Sequence, residues 1–414
     1  MNISAYQPKA TKLQNYVVLF LMLYFTDFMS FKAYVAPQRL LVFPVVYLCL
    51  FFLLRNQNYL IGKPLASNVK LIILSFFLSC IPSVFVFGQG LYAALAGQMM
   101  FLFPLLLYFL LHKWNVNEKV IFNYLLLFTA VYTFLEIYQQ FTYPTYWFAG
   151  REEQEWSGAL EERMGFWRFY LFGKDFCALA LTLCFGRIIQ KEGNAIRNYV
   201  YLVVCALAIY FFLARKEIYA AASCIAIGTL FGRGKGSVWS KVLISLMLIA
   251  GYGYLSTAMV DLNLQTATEF GENSDDFIRF MAANYFMYDF SDSPFYYALG
   301  SGVPGGDNAL SHTISYLAET MHYYQDDCGF VGYFSRFGIF GLVIQMLVVI
   351  KIIRNRRYIN IGLLLYGLWQ LEECFFDFWT TNTRHTAAFA IYLYLIDKNI
   401  ETNKQVEYDA TVID

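Results

Sequence analysis

VDLNLQTATEFGENSDDFIRFMAANYFMYDFSDSPFYYALGSGVPGGDNALSHTISYLAETMHYYQDDC (Val260–Cys328) interrupts a chain otherwise dominated by long apolar runs. Eleven acids fall inside it: Asp261, Glu269, Glu272, Asp275, Asp276, Asp289, Asp292, Asp307, Glu319, Asp326 and Asp327. Arg279 is its only Lys or Arg. The segment also holds a glycine-rich turn, LGSGVPGGDN (Leu299–Asn308), and two histidines, His312 and His322. DDCGFVGYFSRFGIFGLV (Asp326–Val343) then leads back into apolar sequence. A loop this long is rare between packed elements unless it carries function. The working part of the protein is therefore expected here.

The 414 residues around and including this segment are 58% hydrophobic, 20% aromatic and only 14% charged. A soluble chain carries nearer a quarter charged residues. Apolar runs of about twenty residues recur, each long enough to cross a roughly 30 Å hydrocarbon core. The composition predicts an all-α polytopic membrane protein forming a single integral membrane domain. The eight cysteines form no CxxC pair and fall mostly in apolar runs, so they read as small core residues. Lys9 and Lys12 precede a first apolar run without a small-residue cleavage site, which reads as a span and not a removable leader.

Twelve spans are predicted: Tyr16–Phe31, Leu40–Leu54, Lys70–Phe87, Leu91–Leu111, Val120–Phe141, Phe169–Arg187, Tyr199–Ala214, Ile218–Phe231, Val238–Met259, Gly329–Ile350, Ile359–Phe378 and Ala387–Ile396. Alternate connections carry Arg55 and Lys63, Lys113 and Lys119, Lys191 and Arg197, Arg233 and Lys235, then Lys351, Arg354, Arg356 and Arg357. The remaining connections are acidic, notably Arg151–Arg163 and Val260–Cys328. Because basic loops stay cytoplasmic, both termini are expected inside and the large loop between spans nine and ten outside. GRGKGS (Gly232–Ser237) lacks phosphate-loop spacing and reads as a basic connector. No zinc spacing, DxD triplet or nucleotide fingerprint is present, so no cofactor or metal is called for and no nucleic-acid partner is expected.

Charges near the bilayer are costly and usually face a polar cavity. Arg215 and Lys216, in FFLARKEIYAAASC (Phe211–Cys224), stand on the outer side against the positive-inside trend. They suggest an anionic partner; a local pair with Glu217 or with a glutamate of the Arg151–Arg163 loop is the plain alternative. Arg279 either binds the same anion or pairs with Asp275 or Asp276. Arg168, at the outer start of span six, binds it or snorkels to the interface. Glu136, Glu372 and Glu373 fall inside apolar spans with no partner legible. Planar guanidinium forks and successive turn amides both suit phosphate oxygens. A lipid-anchored diphosphate would be such an anion, and Asp327 beside it could take the proton of an attacking sugar hydroxyl. Alternatively Asp327 caps the tenth helix. Asp326 and His322 are supporting candidates.

Three segments resemble the O-antigen polymerase and ligase group of bacterial envelope glycosyltransferases. RFMAANYFMYDFSDSPFYYALGSG (Arg279–Gly302) is similar to that family's arginine, amphipathic helix, proline and GxG series. DCGFVGYFSRFGIFGLV (Asp327–Val343) resembles its loop exit, and LARKEIYA (Leu213–Ala220) its arginine segment between neighbouring spans. Arg168 with Gly173 and Asp175 is a looser match. Ligases of the group place a histidine at the loop exit, where this chain has Asp327, with His322 out of register. The resemblance therefore implies a polymerase of the bacterial cytoplasmic (inner) membrane. Its substrates would be undecaprenyl-diphosphate-linked repeat units, and a chain-length regulator is a conceivable partner. An O-antigen ligase transferring glycan to lipid A core, or a transporter, are the competing readings.

Overall fold

The computed structural model describes residues 9–26, 39–55, 57–145, 147, 162–163, 165–169, 171–231, 275–380 and 382–413. The expected ninth span, the Gly232–Ser237 connector, nearly all of the Arg151–Arg163 loop and the first part of the large loop lie outside them.

The described chain is helices joined by turns, with strand only where Glu162–Arg163 pairs with Phe166–Trp167 among the described residues. In order the helices are α1 (Lys12–Phe25), α2 (Arg39–Arg55), α3 (Ala66–Phe85), α4 (Leu91–Gly97), α5 (Met99–Lys113), α6 (Glu118–Thr142), α7 (Lys174–Gln190), α8 (Ala195–Phe211) and α9 (Arg215–Phe231). Then come α10 (Asp275–Asn284), α11 (Pro294–Leu299), α12 (Ala309–Met321), α13 (Gly329–Arg354), α14 (Ile361–Glu373) and α15 (Thr383–Ile413). Asparagines start five of them. Asn117, Asn194, Asn308, Asn360 and Asn382 each accept a first-turn amide of α6, α8, α12, α14 and α15, at 2.7–3.1 Å. One continuous apolar core runs from Val18 to Ile400. At its centre lies Ala387–Ile396 of α15, apolar on every side and buried throughout, packed most closely on α5.

The expected count of twelve spans is corrected. Among the described residues three helices are long and apolar enough to cross a membrane: α3, α6, and α13 with its lead-in turn. A fourth is available if α4 and α5, bent by 52° at Gln98, count as one span. Six others are too short: α1, α2, α7, α8, α9 and α14 have 13–17 residues. At about 1.5 Å per residue that is roughly 20–25 Å, against a core of roughly 30 Å. α15 has the length, with 31 residues, but its outgoing half is polar. Apolar composition continues through turns where the helix does not. The expected span Ile359–Phe378, for instance, stops being helix at Glu373.

The alternation of the connections does appear in space. Lys63 meets Glu401 at 2.5 Å, Lys398 meets Asn115 at 2.7 Å, and Asn360 takes Gln190 and Asn399 as partners. These contacts gather the connections carrying Lys63, Lys113, Lys191 and Arg354–Arg357 at one end of the bundle, the basic end. At the opposite end α7, α9, α13 and α15 begin and α14 stops. Phe330 N–H donates to the Cys374 carbonyl there at 2.8 Å.

The second part of the large loop is built, not structureless. α10 opens at its C-terminus into a π turn, Tyr285–Asp289. α11 and α12 follow, and a short 3-10 turn, Gln325–Cys328, leads into α13. Ala282, Phe286, Leu317, Cys328 and Val331 form a small apolar cluster of their own beneath these elements.

Candidate functional site

α7 starts tight against α6 because of Gly173. Its φ of 120° is open only to glycine, and a Cβ there would collide with Phe128. That start presents Lys174 and Asp175. Lys174 Nζ pairs with Glu217 of α9 and lies 3.2 Å from Asp377, which follows α14. Lys216 pairs with the same Asp377 oxygen. Asp175 pairs with His385 of α15 at 3.1 Å, and Glu373 lies beside Glu217. Lys174 Nζ and Arg168 Cζ stand 5.3 and 5.9 Å from the Phe212 ring centre, within cation–π reach.

Asp327 faces this cluster. Burial raises its carboxyl above the usual range. The Asp377 charge pushes it further up, while Arg279 and Lys216 pull it back. Asp377 behaves oppositely: burial works against its charge, but Lys216, Lys174 and His385 outweigh that and hold it well below the usual range. One end of the bundle therefore holds two carboxyls pushed in opposite directions within one field, an arrangement that separates a proton acceptor from a permanent anion.

A clamp sets the Asp327 turn. Arg336, buried in α13, donates from Nη2 to Asp326 at 2.5 Å and from Nε to Gln325 at 3.3 Å. Gln325 in turn donates to Ser335 Oγ at 2.8 Å. Asp326 is thereby committed to Arg336. The alternative role of Asp327 as helix cap does not hold: Cys328 is the cap residue of α13, and no side chain bonds there.

In the glycine-rich turn the amides of Gly300 to Gly302 and of Gly305 are already used, so these do not form the expected anion nest. Ser301 and Gly302 donate to the Ser335 and Arg336 carbonyls at 2.7 and 3.0 Å, and Gly305 donates to Gln89. Gly300, at φ 82°, admits no Cβ because one would fall on the Arg336 carbonyl. The turn is a packing device that locks the loop onto α13 where that helix kinks at Gly338.

Of the candidate residues, Asp327, Arg279 and Lys216 share one electrostatic neighbourhood, and Arg168 joins through Phe212 and Lys174. Arg215 opens α9, and its side chain lies outside the described residues. His322 is exposed at the end of α12, in the left-handed conformation that closes it. Sequence reasoning missed Lys174, Asp377 and Arg336. Arg336 had a signal, a cation within an apolar run. Lys174 stood inside a quoted segment, and Asp377 was hidden within the expected span Ile359–Phe378.

No family model matches the chain, and no curated protein matches it.

Proposed function

We propose that the protein is a polymerase of the bacterial inner membrane, joining undecaprenyl-diphosphate-linked oligosaccharide repeat units into O-antigen, capsule or exopolysaccharide. In this reading the long apolar helices α3, α6 and α13 set the chain in the bilayer with both termini inside. The Asp327 end then faces outward, and a chain-length regulator is a natural partner.

The observation that carries the reading is the Lys174–Asp377–Lys216 ion-pair cluster at the end of the bundle where Asp327 lies, with Arg279 and Lys216 both acting on the Asp327 charge. The acceptor sugar hydroxyl attacks the anomeric carbon of the donor glycan. A new glycosidic C–O bond forms as the bond to the diphosphate breaks. The hydroxyl proton passes to Asp327, whose raised proton affinity suits a base, a role worth roughly 10²–10⁴-fold. The leaving diphosphate carries its charge to Arg279, Lys216, Arg168 and Arg215. His322, exposed at the end of α12, stands five residues out of register with the loop-exit position held by Asp327, which weighs against ligation.

The test is a purified assay with lipid-linked repeat units. Asp327→Asn should insert and accumulate normally yet lose polymer formation by at least a hundredfold. Wild-type polymer from Asp327→Asn, with loss only in His322→Ala, would remove the assignment.

A further inference from the structure

The basic end carries a feature that the transferase chemistry does not use. An open groove of about 900 Å³ lies between the chain entering α3, the start of α3, the end of α13 and the outgoing half of α15. Lys63, Lys70, Lys351 and Lys404 line it. Lys63 is compensated by Glu401. The other three have neutral partners among the described residues. Lys70 meets the Gln57 amide oxygen, Lys351 meets Asn68 and Ser67 at 3.1 and 3.3 Å, and Lys404 lies 5.2 Å from the Tyr358 ring centre. The groove thus keeps three ammonium charges with no carboxylate in its lining.

Directly along α3 the surface changes character. Leu71, Leu74, Ile81 and Phe85 are 36%, 44%, 42% and 83% exposed, and their spacing puts them on one stripe of the helix. α3 is also one of the helices able to cross a membrane. Uncompensated cations at a helix end, continuous with an exposed apolar stripe, match the two halves of one molecule: an anionic head and an acyl chain. We propose that this groove binds an anionic glycerophospholipid of the bilayer. Lys70, Lys351 and Lys404 hold the phosphate, and the Leu71–Leu74–Ile81 stripe holds a chain. The inference rests on α3 as a membrane span and is independent of the Asp327 chemistry. Each lysine near an anionic headgroup contributes about fivefold in affinity, so three give about a hundredfold.

The experiment uses the full-length protein in nanodiscs of phosphatidylcholine doped with phosphatidylglycerol, with native mass spectrometry reading the retained lipid. Wild type should retain phosphatidylglycerol over phosphatidylcholine. The Lys70→Gln, Lys351→Gln, Lys404→Gln triple variant should lose about a hundredfold. Lys404→Gln alone, on the exposed part of α15 and so harmless to folding, should lose about fivefold. Arg356→Gln with Arg357→Gln, at the same end but outside the groove, should leave retention unchanged. Equal retention of both lipids by wild type, or unchanged retention in Lys404→Gln and the triple variant, overturns the site. Displacement by millimolar inorganic phosphate would show a soluble-anion site and overturn the phospholipid assignment. Failure of wild type to enter nanodiscs would overturn the membrane reading together with the site.

Discussion

At one end of the bundle Lys174 and Lys216 converge on Asp377, whose side chain is only 16% exposed; at the other, Lys63 reaches Glu401, which is 45% exposed. Both are ion pairs, but they do different physical work. In the first, charges withdrawn from water depend on one another, because each lost its hydration on folding. In the second, Lys63 is itself buried at 5% exposure, but Glu401 stands half in water, which shares the load of the pair. Buried charge occurs at both ends, as the enclosed His112–Asp397 pair near Lys63 shows, but only the Asp327 end gathers several cations and carboxylates into one cluster.

The largest expected effect breaks the first pair. Asp377→Ala leaves Lys174 with Glu217 as its remaining ion-pair partner, takes the paired carboxylate from Lys216, and should destabilise the protein by about 3–5 kcal/mol, read as a lowered unfolding temperature in detergent. A change within half a kcal/mol would mean that water already compensates this end.

Next in size is the pH response. Asp327 must be deprotonated to act as a base, and burial raises its proton affinity, so the acid limb of polymer formation should lie above the ordinary carboxylate range. Lys216 pulls that value down, so Lys216→Gln should move the limb to higher pH. Asp377 has the opposite sign for stability. Its depressed value contributes stability above the ordinary carboxylate range, and this is lost as pH falls through the folded value. A limb unmoved by Lys216→Gln would separate the two carboxylates and undo the shared-field argument.

The smallest effect lies at the basic end. Glu401→Gln removes the partner of Lys63 and a neighbour 3.6 Å from Lys398, yet should cost no more than about 1 kcal/mol. A loss as large as that of Asp377→Ala would erase the contrast between the ends.

Much of this was legible in the sequence, for reasons tied to particular residues. Apolar composition alone predicts an all-helical bundle, and alternating Lys and Arg foretell the gathering of Lys63, Lys191 and Arg354 at one end. Arg279, Lys216 and Asp327 stand out because charge is rare in such a chain. Helix ends were less legible, since hydropathy does not register the bend at Gln98 or the stop at Glu373. Asp377 vanished for that reason: averaged with Phe375, Phe376 and Phe378, it looked like membrane interior. The glycine-rich turn misled for a different reason. Glycines that free amides for a ligand and glycines that let backbones touch look identical until Ser335 and Arg336 are seen accepting those amides.

The central claim is that the Asp327 end binds a lipid diphosphate through its cations and uses the carboxylate only for chemistry. The direct measurement is equilibrium binding of radiolabelled undecaprenyl diphosphate to the purified protein and two variants. Arg279→Ala should bind at least about tenfold more weakly, the loss of one charge-assisted bidentate contact. Asp327→Asn should bind as wild type or slightly tighter while making no polymer. Equal binding by wild type and Arg279→Ala would contradict the account.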